Sequence, residues 1–471
     1  MPEPEGGRAA VEARFQLANA WLARGKTEAA VKAYLDTLAL DPGYAPAYAR
    51  LASIALGEGR SQAALHLYEQ ALALDPGNAT LRFRRDTLRD WLARAGDRAR
   101  PAEAGHARLS GLVDNPHGRL NLAETVVITS HRGGWACAME ALRPLHNRGG
   151  VLFDGFIENN FAWRQRVETP RPAHVLERMR LEGMFEGLAT AEEQGIIPYR
   201  RPWVGVVHNP PGMPAWFHPR EAPQAIFARP VWQASLPHCV GLFSLSEHHA
   251  RWLREQTGKP VSALIHPTEI PTVRFDMRRF RDNPHKRIVQ IGWWLRRLNA
   301  IYALPIAHDN PLGYEKVRLV PRFFANADDY LQGLLRRERA AEGLALDPHY
   351  AENTHDVQHL PNADYDQLLA ENIAFVELYD ANANNAVIEC IARGTPLLVN
   401  PLPAVVEYLG ENYPLYFTTL DEAAAKAQDV ALLDAAHRYL LTCETRGKLS
   451  GEYFRASVES SEVYKLIRSL P

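Results

Sequence analysis

Two stretches near the front of the chain copy each other at a fixed interval, and that interval limits what they can build. Leu17 recurs as Leu51, Ala18 as Ala52, Gly25 as Gly59, Ala29 as Ala63, Tyr34 as Tyr68, and Asp41-Pro42 as Asp75-Pro76, each pair 34 residues apart. Within each copy the small residues suit a close crossing of two helices, and the proline ends the second helix. One such helix pair cannot bury its apolar face alone, so neighbouring copies must stack on it. A further amphipathic helix is expected from "LRFRRDTLRDWLARAG", beginning at Leu81. Two copies bury little core, so the module is expected to pack on the rest of the chain or to pair with a second copy as a homodimer. Residues 1–100 are assigned to it. Residues 101–123 lack apolar periodicity and read as a linker.

From Glu124 the pattern changes to short apolar runs alternating with helical stretches. "TVVITS", "GVLFDGF", "WVGVVHNPPG", "CVGLFSLS" and "VSALIHPTE" read as strands of one domain over residues 124–282. "KRIVQIG", "KVRLVP", "DVQHLP", "IAFVELYD" and "TPLLVN" read as strands of a second over residues 283–471, with helices at its end. "WWLRRLNAIYAL" reads as helical. Such alternation predicts parallel sheets covered by helices on both faces. The fold class expected is therefore α/β: two tandem doubly wound, Rossmann-like domains preceded by an all-α repeat module. Ligands in such sheets sit at the carboxyl ends of strands, and facing domains leave a cleft between them. The polar residues at predicted strand ends include Gly133 and Gly134 of "SHRGGW", Asp154, His208-Asn209, Ser246 and His266. The two glycines would let backbone approach a phosphate or a sugar.

"NANNAVIECIARGTPLLVNPLPAVVEYLG", Asn382 to Gly410, holds a carboxylate, Glu389, in the middle of an apolar helix opened by asparagines. Read alone, Glu389 is either a partly buried acid stabilised by the helix N-terminus or a ligand group facing a cleft.

Two resemblances follow from these residues. The 34-residue copies resemble the tetratricopeptide repeat. Asp356 to Gly410, with its strand, polar loop, glutamate-bearing helix and Gly-Thr-Pro, resembles the donor-binding half of retaining glycosyltransferases of the GT-B fold, the family 4 type. "KRIVQIGWWLRRLN" is similar to the first strand of that half. The likeness spans about residues 124 to 471 and is stronger in the second half. It implies a glycosyltransferase that moves a sugar from a nucleotide-sugar donor to an acceptor. Its departing diphosphate would be stabilised, without a metal, by cations and by N–H groups at a helix start. Gly292, Arg296 and Arg297 would meet that diphosphate, together with the helix opening at Asn384, Asn385 and Ala386. Only one of the two arginines need face the cleft. Glu389 would hold the donor ribose, and His208 would contact the donor sugar. The family often carries an earlier glutamate eight positions before the helix one. Here that position is Ala381, with Asp380 beside it as the candidate substitute. Asp154 could orient or deprotonate the acceptor hydroxyl, or cap a turn. Repeats joined to such a catalytic half are similar to the protein O-GlcNAc transferases, which implies a polypeptide acceptor held by the repeats. A GT-B sugar-nucleotide epimerase and a non-catalytic repeat scaffold are the alternatives.

Other classes find no support. The net charge of −2, from 53 basic and 55 acidic residues, provides no single-sign field for nucleic acid. Cys137, Cys239, Cys390 and Cys443 are scattered, against a disulfide framework or a cysteine zinc site. No metal cofactor is expected. "DYD" at Asp364 to Asp366 opens a helix and reads as N-capping and first-turn acids, not as a metal motif. No apolar run is long enough to span a bilayer, and the first residues do not read as a secretory leader, so a cytoplasmic location is expected.

Overall fold

The computed structural model describes residues 5–470 except 24–25, 58–60, 79–80, 83, 87, 90–105, 110, 124, 129–133, 164–196, 321–326 and 359. The chain divides into two compact units, one holding the repeat helices and the other both parallel sheets.

In the first unit the two copies form helix pairs α1 (Glu5–Ala23) with α2 (Thr27–Leu40), and α3 (Ala45–Gly57) with α4 (Ser61–Leu74). Ala18, Ala30, Ala33 and Ala47 sit buried where helices cross, and their small side chains allow that approach. The tyrosine of each copy is buried and bonds the same position of its own hairpin. Tyr34 Oη donates to Asn19 Oδ1 at 2.7 Å, and Tyr68 Oη lies 3.2 Å from Ser53 Oγ. The 34-residue period thus repeats a polar contact as well as a packing pattern.

The second unit contains two five-stranded sheets. The first runs β2 (Leu120–Asn121), β4 (Val151–Asp154), β5 (Trp203–Val206), β6 (Cys239–Ser244), β7 (Val261–Ala263), all parallel and in chain order. A separate antiparallel pair joins β1 (His106–Arg108) to β3 (Val126–Ile128). The second sheet comprises β8 (Arg287–Gln290), β9 (Glu315–Val320), β10 (Thr354–Gln358), β11 (Ile373–Val376) and β12 (Leu397–Val399). Its spatial order is β10-β9-β8-β11-β12, all parallel, so the winding reverses between β8 and β11. The strands β4, β5 and β11 are buried at every residue, as expected when helices cover both faces.

The helices used below are α5 (Trp135–Leu142), α6 (Glu247–Thr257), α7 (Ala327–Glu342), α8 (Asn362–Ala370), α9 (Asn385–Arg393), α10 (Pro403–Leu409), α11 (Gly451–Ser460) and α12 (Glu462–Ser469). Among the described residues no helix is long and apolar enough to cross a membrane.

Three sequence expectations are corrected. β1 and β2 fall in the stretch read as linker, and Leu120 is fully buried. Two leucines amid His, Asn and Gly leave no alternation to detect. "WWLRRLNAIYAL" is helical only over Ala300–Ala303, because Gly292 (φ 78°) and Leu295 (φ 57°) turn the chain left-handed before it. The terminal helices, assigned with the second domain, return to the first. Phe454, Val458, Val463, Tyr464 and Ile467 pack with Phe153, Val204 and Phe243, closing the face of the first sheet that α5 covers only in part.

Candidate functional site

The residues that follow the strands of both sheets meet one another, so the two carboxyl edges face each other across one crevice. α9 stands at its centre. Asn384 caps it, its Oδ1 accepting from Ala386 N–H at 3.0 Å and Val387 N–H at 3.4 Å. Gly394, left-handed at φ 72°, ends it. The apolar positions Ala386, Val387, Ile388, Cys390 and Ile391 are buried against the second core.

Opposite lies the start of α5. Gly134 has φ 71°, and a Cβ there would stand 3.0 Å from the Asn385 side chain. Two helix N-termini, one from each domain, therefore converge where Gly134 meets Asn385, and their partial positive charges add. Gly133 lies outside the described residues. Gly292 is the corresponding close approach in the second domain: an added Cβ would stand 2.9 Å from Arg296 Nη2.

The structure separates the two arginines. Arg296 is buried, with Nε donating to the Ile291 carbonyl (3.1 Å), Nη1 to the Trp294 carbonyl (2.6 Å) and Nη2 to Asn384 Oδ1 (3.0 Å). Burial pushes its guanidinium down to about 10, partly opposed by Tyr365 and Glu389, so it remains a cation at neutral pH. Arg297 turns away, stacking on the Tyr379 ring at 4.3 Å and pairing with Glu342 (3.4 Å) and Glu377 (3.5 Å). Only Arg296 stands at the helix start.

Glu389 lies one turn inside α9 with its side chain 19% exposed. It does not stand free in the crevice: Oε2 accepts from Tyr365 Oη at 2.5 Å and lies 3.6 Å from Arg393 Nη1. Burial, then the Glu389 charge, holds the Tyr365 phenol well above its usual range, so it donates. Asp366, read from sequence as a first-turn acid, is buried and paired with Arg393 at 2.7 Å, and α8 has no side-chain cap.

Asp154 and Asp380 are both occupied within the protein. Asp154 is 5% exposed. Its Oδ2 accepts from Tyr199 Oη (2.7 Å) and Asn160 Nδ2 (2.9 Å), and its Oδ1 from Phe156 N–H (3.1 Å). Asp380 accepts from Gly212 N–H and Ala381 N–H, each at 2.7 Å, and burial raises its carboxyl. His208 packs edge-on to Trp135 (4.6 Å) and Phe156 (4.5 Å). Its Nε2 donates to the Gly155 carbonyl at 2.9 Å, which assigns the proton to Nε2 and leaves Nδ1 as the lone-pair nitrogen. Burial pushes this imidazole down to about 3, so it is neutral.

Sequence reasoning passed over Glu158, Asn382 and Glu407. Glu158 is fully buried, and Oε1 accepts from His208 N–H (2.8 Å) and Asn209 N–H (2.7 Å), fixing the turn that carries His208. No motif or periodicity marks it; its donors come from 50 and 51 residues away. Burial pushes its carboxyl up to about 8, above the ordinary 4.5. An acid raised on folding stabilises most below its unfolded value and loses that contribution as pH rises through its folded value. Glu158→Gln does not titrate. Its stability relative to the wild type is expected to rise by roughly 2–4 kcal/mol between about pH 5 and pH 8, as measured by denaturant unfolding. A difference independent of pH would show that Glu158 is ionised in the folded protein.

In the chain, helical repeats are followed by two parallel-sheet domains, with the terminal helices returned to the first of them. Residues 45–78, the second copy, match the tetratricopeptide repeat family. No curated protein sequence matches the chain. Among solved structures, Thermobaculum terrenum O-GlcNAc transferase aligns at 16% identity over 99% of this chain and 100% of that one, with a TM-score of 0.39. The E. coli trehalose-6-phosphate structure bound with UDP-2-fluoro glucose aligns at 13% over 75% and 100%, with a TM-score of 0.42. Anabaena HepE in complex with UDP-glucose aligns at 12% over 59% and 75%, with a TM-score of 0.39.

Proposed function

We propose that the protein is a metal-independent glycosyltransferase that takes a sugar from a nucleotide-sugar donor in the crevice between its two α/β domains. The observation that carries the reading is the convergence of the α5 and α9 N-termini beside the buried Arg296 cation, at the point where the second sheet reverses its winding. In this reading the Asn385 N–H, with Arg296, holds the diphosphate and stabilises the charge that develops on it as the sugar leaves, while the Ala386 N–H, expected from the sequence to join them, is already taken by the Asn384 cap. Glu389 accepts from the ribose diol, and the lone pair of His208 Nδ1 receives a sugar hydroxyl. Arg297 has no part in it. Asp154 and Asp380 keep the surrounding turns in shape, and neither removes the acceptor proton. The acceptor is a polypeptide lying along the repeats, and the reaction runs in the cytoplasm.

Calorimetry with UDP, GDP, ADP and their glucose and N-acetylglucosamine conjugates tests the donor half of the proposal without an acceptor. Binding of one nucleotide series, unaffected by chelator, is the expected result. No heat and no rise in thermal stability with any of them would overturn it. Binding without turnover on any peptide would favour the reading as a repeat scaffold, which the occupied Asp154 and Asp380 carboxylates also favour.

A further inference from the structure

Asn382 stands in the loop before α9 and is 1% exposed. Its Oδ1 accepts from Ser244 Oγ (3.1 Å), Leu245 N–H (3.0 Å) and Ser246 Oγ (3.0 Å), and its Nδ2 donates to the Val207 carbonyl (2.7 Å). All four partners belong to the other α/β domain, at the ends of β5 and β6. One side chain therefore ties α9's approach loop to the strand that leads into His208.

Further ties run parallel to it. Asp380 accepts from Gly212 N–H at 2.7 Å. Glu407 of α10 takes the Glu247 N–H (2.7 Å) and the His248 N–H (2.6 Å), two first-turn donors of α6 that have no partner within their own helix. Phe217, from the loop after β5, is fully buried among Leu295, Leu298, Leu331 and Leu334 of the second domain. A buried amide satisfied on both atoms costs little while closed. Separating the domains would break its four bonds together, expose Phe217 and release the neighbouring N–H donors.

We propose that Asn382 is a positioning residue: it fastens the two α/β domains in the closed arrangement before any ligand arrives, so that the Gly134–Asn385 junction and His208 are assembled in advance. The inference rests on these contacts and holds whatever ligand the crevice takes. Preassembly removes the ordering cost that closing on a ligand would otherwise carry.

Hydrogen exchange of the full chain without ligand tests it. Among the described residues, the N–H groups of Gly212, Leu245, Glu247 and His248 find acceptors only in the second domain. They are expected to exchange about 100-fold slower than in an unstructured chain. Asn382→Ala is expected to speed all four by about tenfold or more, including Gly212 and His248, which Asn382 does not touch, while the amides of β11 keep their protection. Asn382→Asp retains the acceptor oxygen but loses the donor to Val207, and should restore part of the protection. Near-unstructured exchange at these positions in the wild type, with both sheets protected, would overturn the proposal. So would an Asn382→Ala effect confined to Leu245. If that variant fails to fold, the wild-type rates decide alone.

Discussion

Glu389→Ala is expected to weaken nucleotide-sugar binding by about 10- to 100-fold, the loss of one or two charge-assisted hydrogen bonds to a diol. The substitution is not silent for the fold. Glu389 also accepts from Tyr365 and lies near Arg393, so its removal leaves a half-buried phenol without its acceptor, at about 1–2 kcal/mol. Two controls separate these effects. Tyr365→Phe removes the phenol hydroxyl and leaves the carboxylate in place; it is expected to bind donor as the wild type does. Tyr365→Phe combined with Glu389→Ala should recover stability without recovering affinity. If the nucleotide-sugar that binds the wild type binds Glu389→Ala with unchanged affinity in calorimetry, the carboxylate is a structural partner of Tyr365 alone.

Arg296→Ala is expected to have the larger effect on stability. Two carbonyls of the loop after β8 lose the Arg296 donors, and the α9 cap loses one of its three, in a setting only 9% exposed. A loss of about 2–4 kcal/mol follows from buried carbonyls left without these donors. Binding should fall with it, because the same guanidinium orients Asn384 and supplies the positive charge. Arg296→Lys keeps a cation but not the fork of donors. It is expected to fold with a smaller loss and still bind nucleotide about tenfold more weakly. Full-strength binding by Arg296→Lys would show that charge alone matters there; full-strength binding by a folded Arg296→Ala would remove the arginine from the site. Arg297→Ala, whose partners are Glu342, Glu377 and the Tyr379 ring, should leave nucleotide affinity unchanged.

What was legible in the chain is local. The 34-residue period specifies helix pairs because small residues must fall wherever helices cross. Apolar runs such as "IAFV" specify strands, and the asparagine before an apolar helical pattern specifies the start of α9, since a cap acts within three residues. Gly394 specifies its end for the same reason.

Which polar groups remain free is not a local property. Arg296 and Arg297 are adjacent and chemically alike, yet a left-handed turn at Leu295 sends one to the cap of α9 and the other to a cluster of acids. Asp154 ends β4 and Glu158 follows four residues later. Asp154 takes local donors from Phe156 and Asn160 as well as Tyr199 from 45 residues away, whereas Glu158 is met by the His208 turn from 50 residues away. Asn382 and Glu407 look like loop and helix surface until the other domain is placed against them. The sequence by itself determined the periods, caps and breaks, because those interactions close within a few residues. The tertiary structure alone decided which side chains hold the molecule together and which can meet a ligand, because burial and hydrogen-bond partners are supplied by distant parts of the chain.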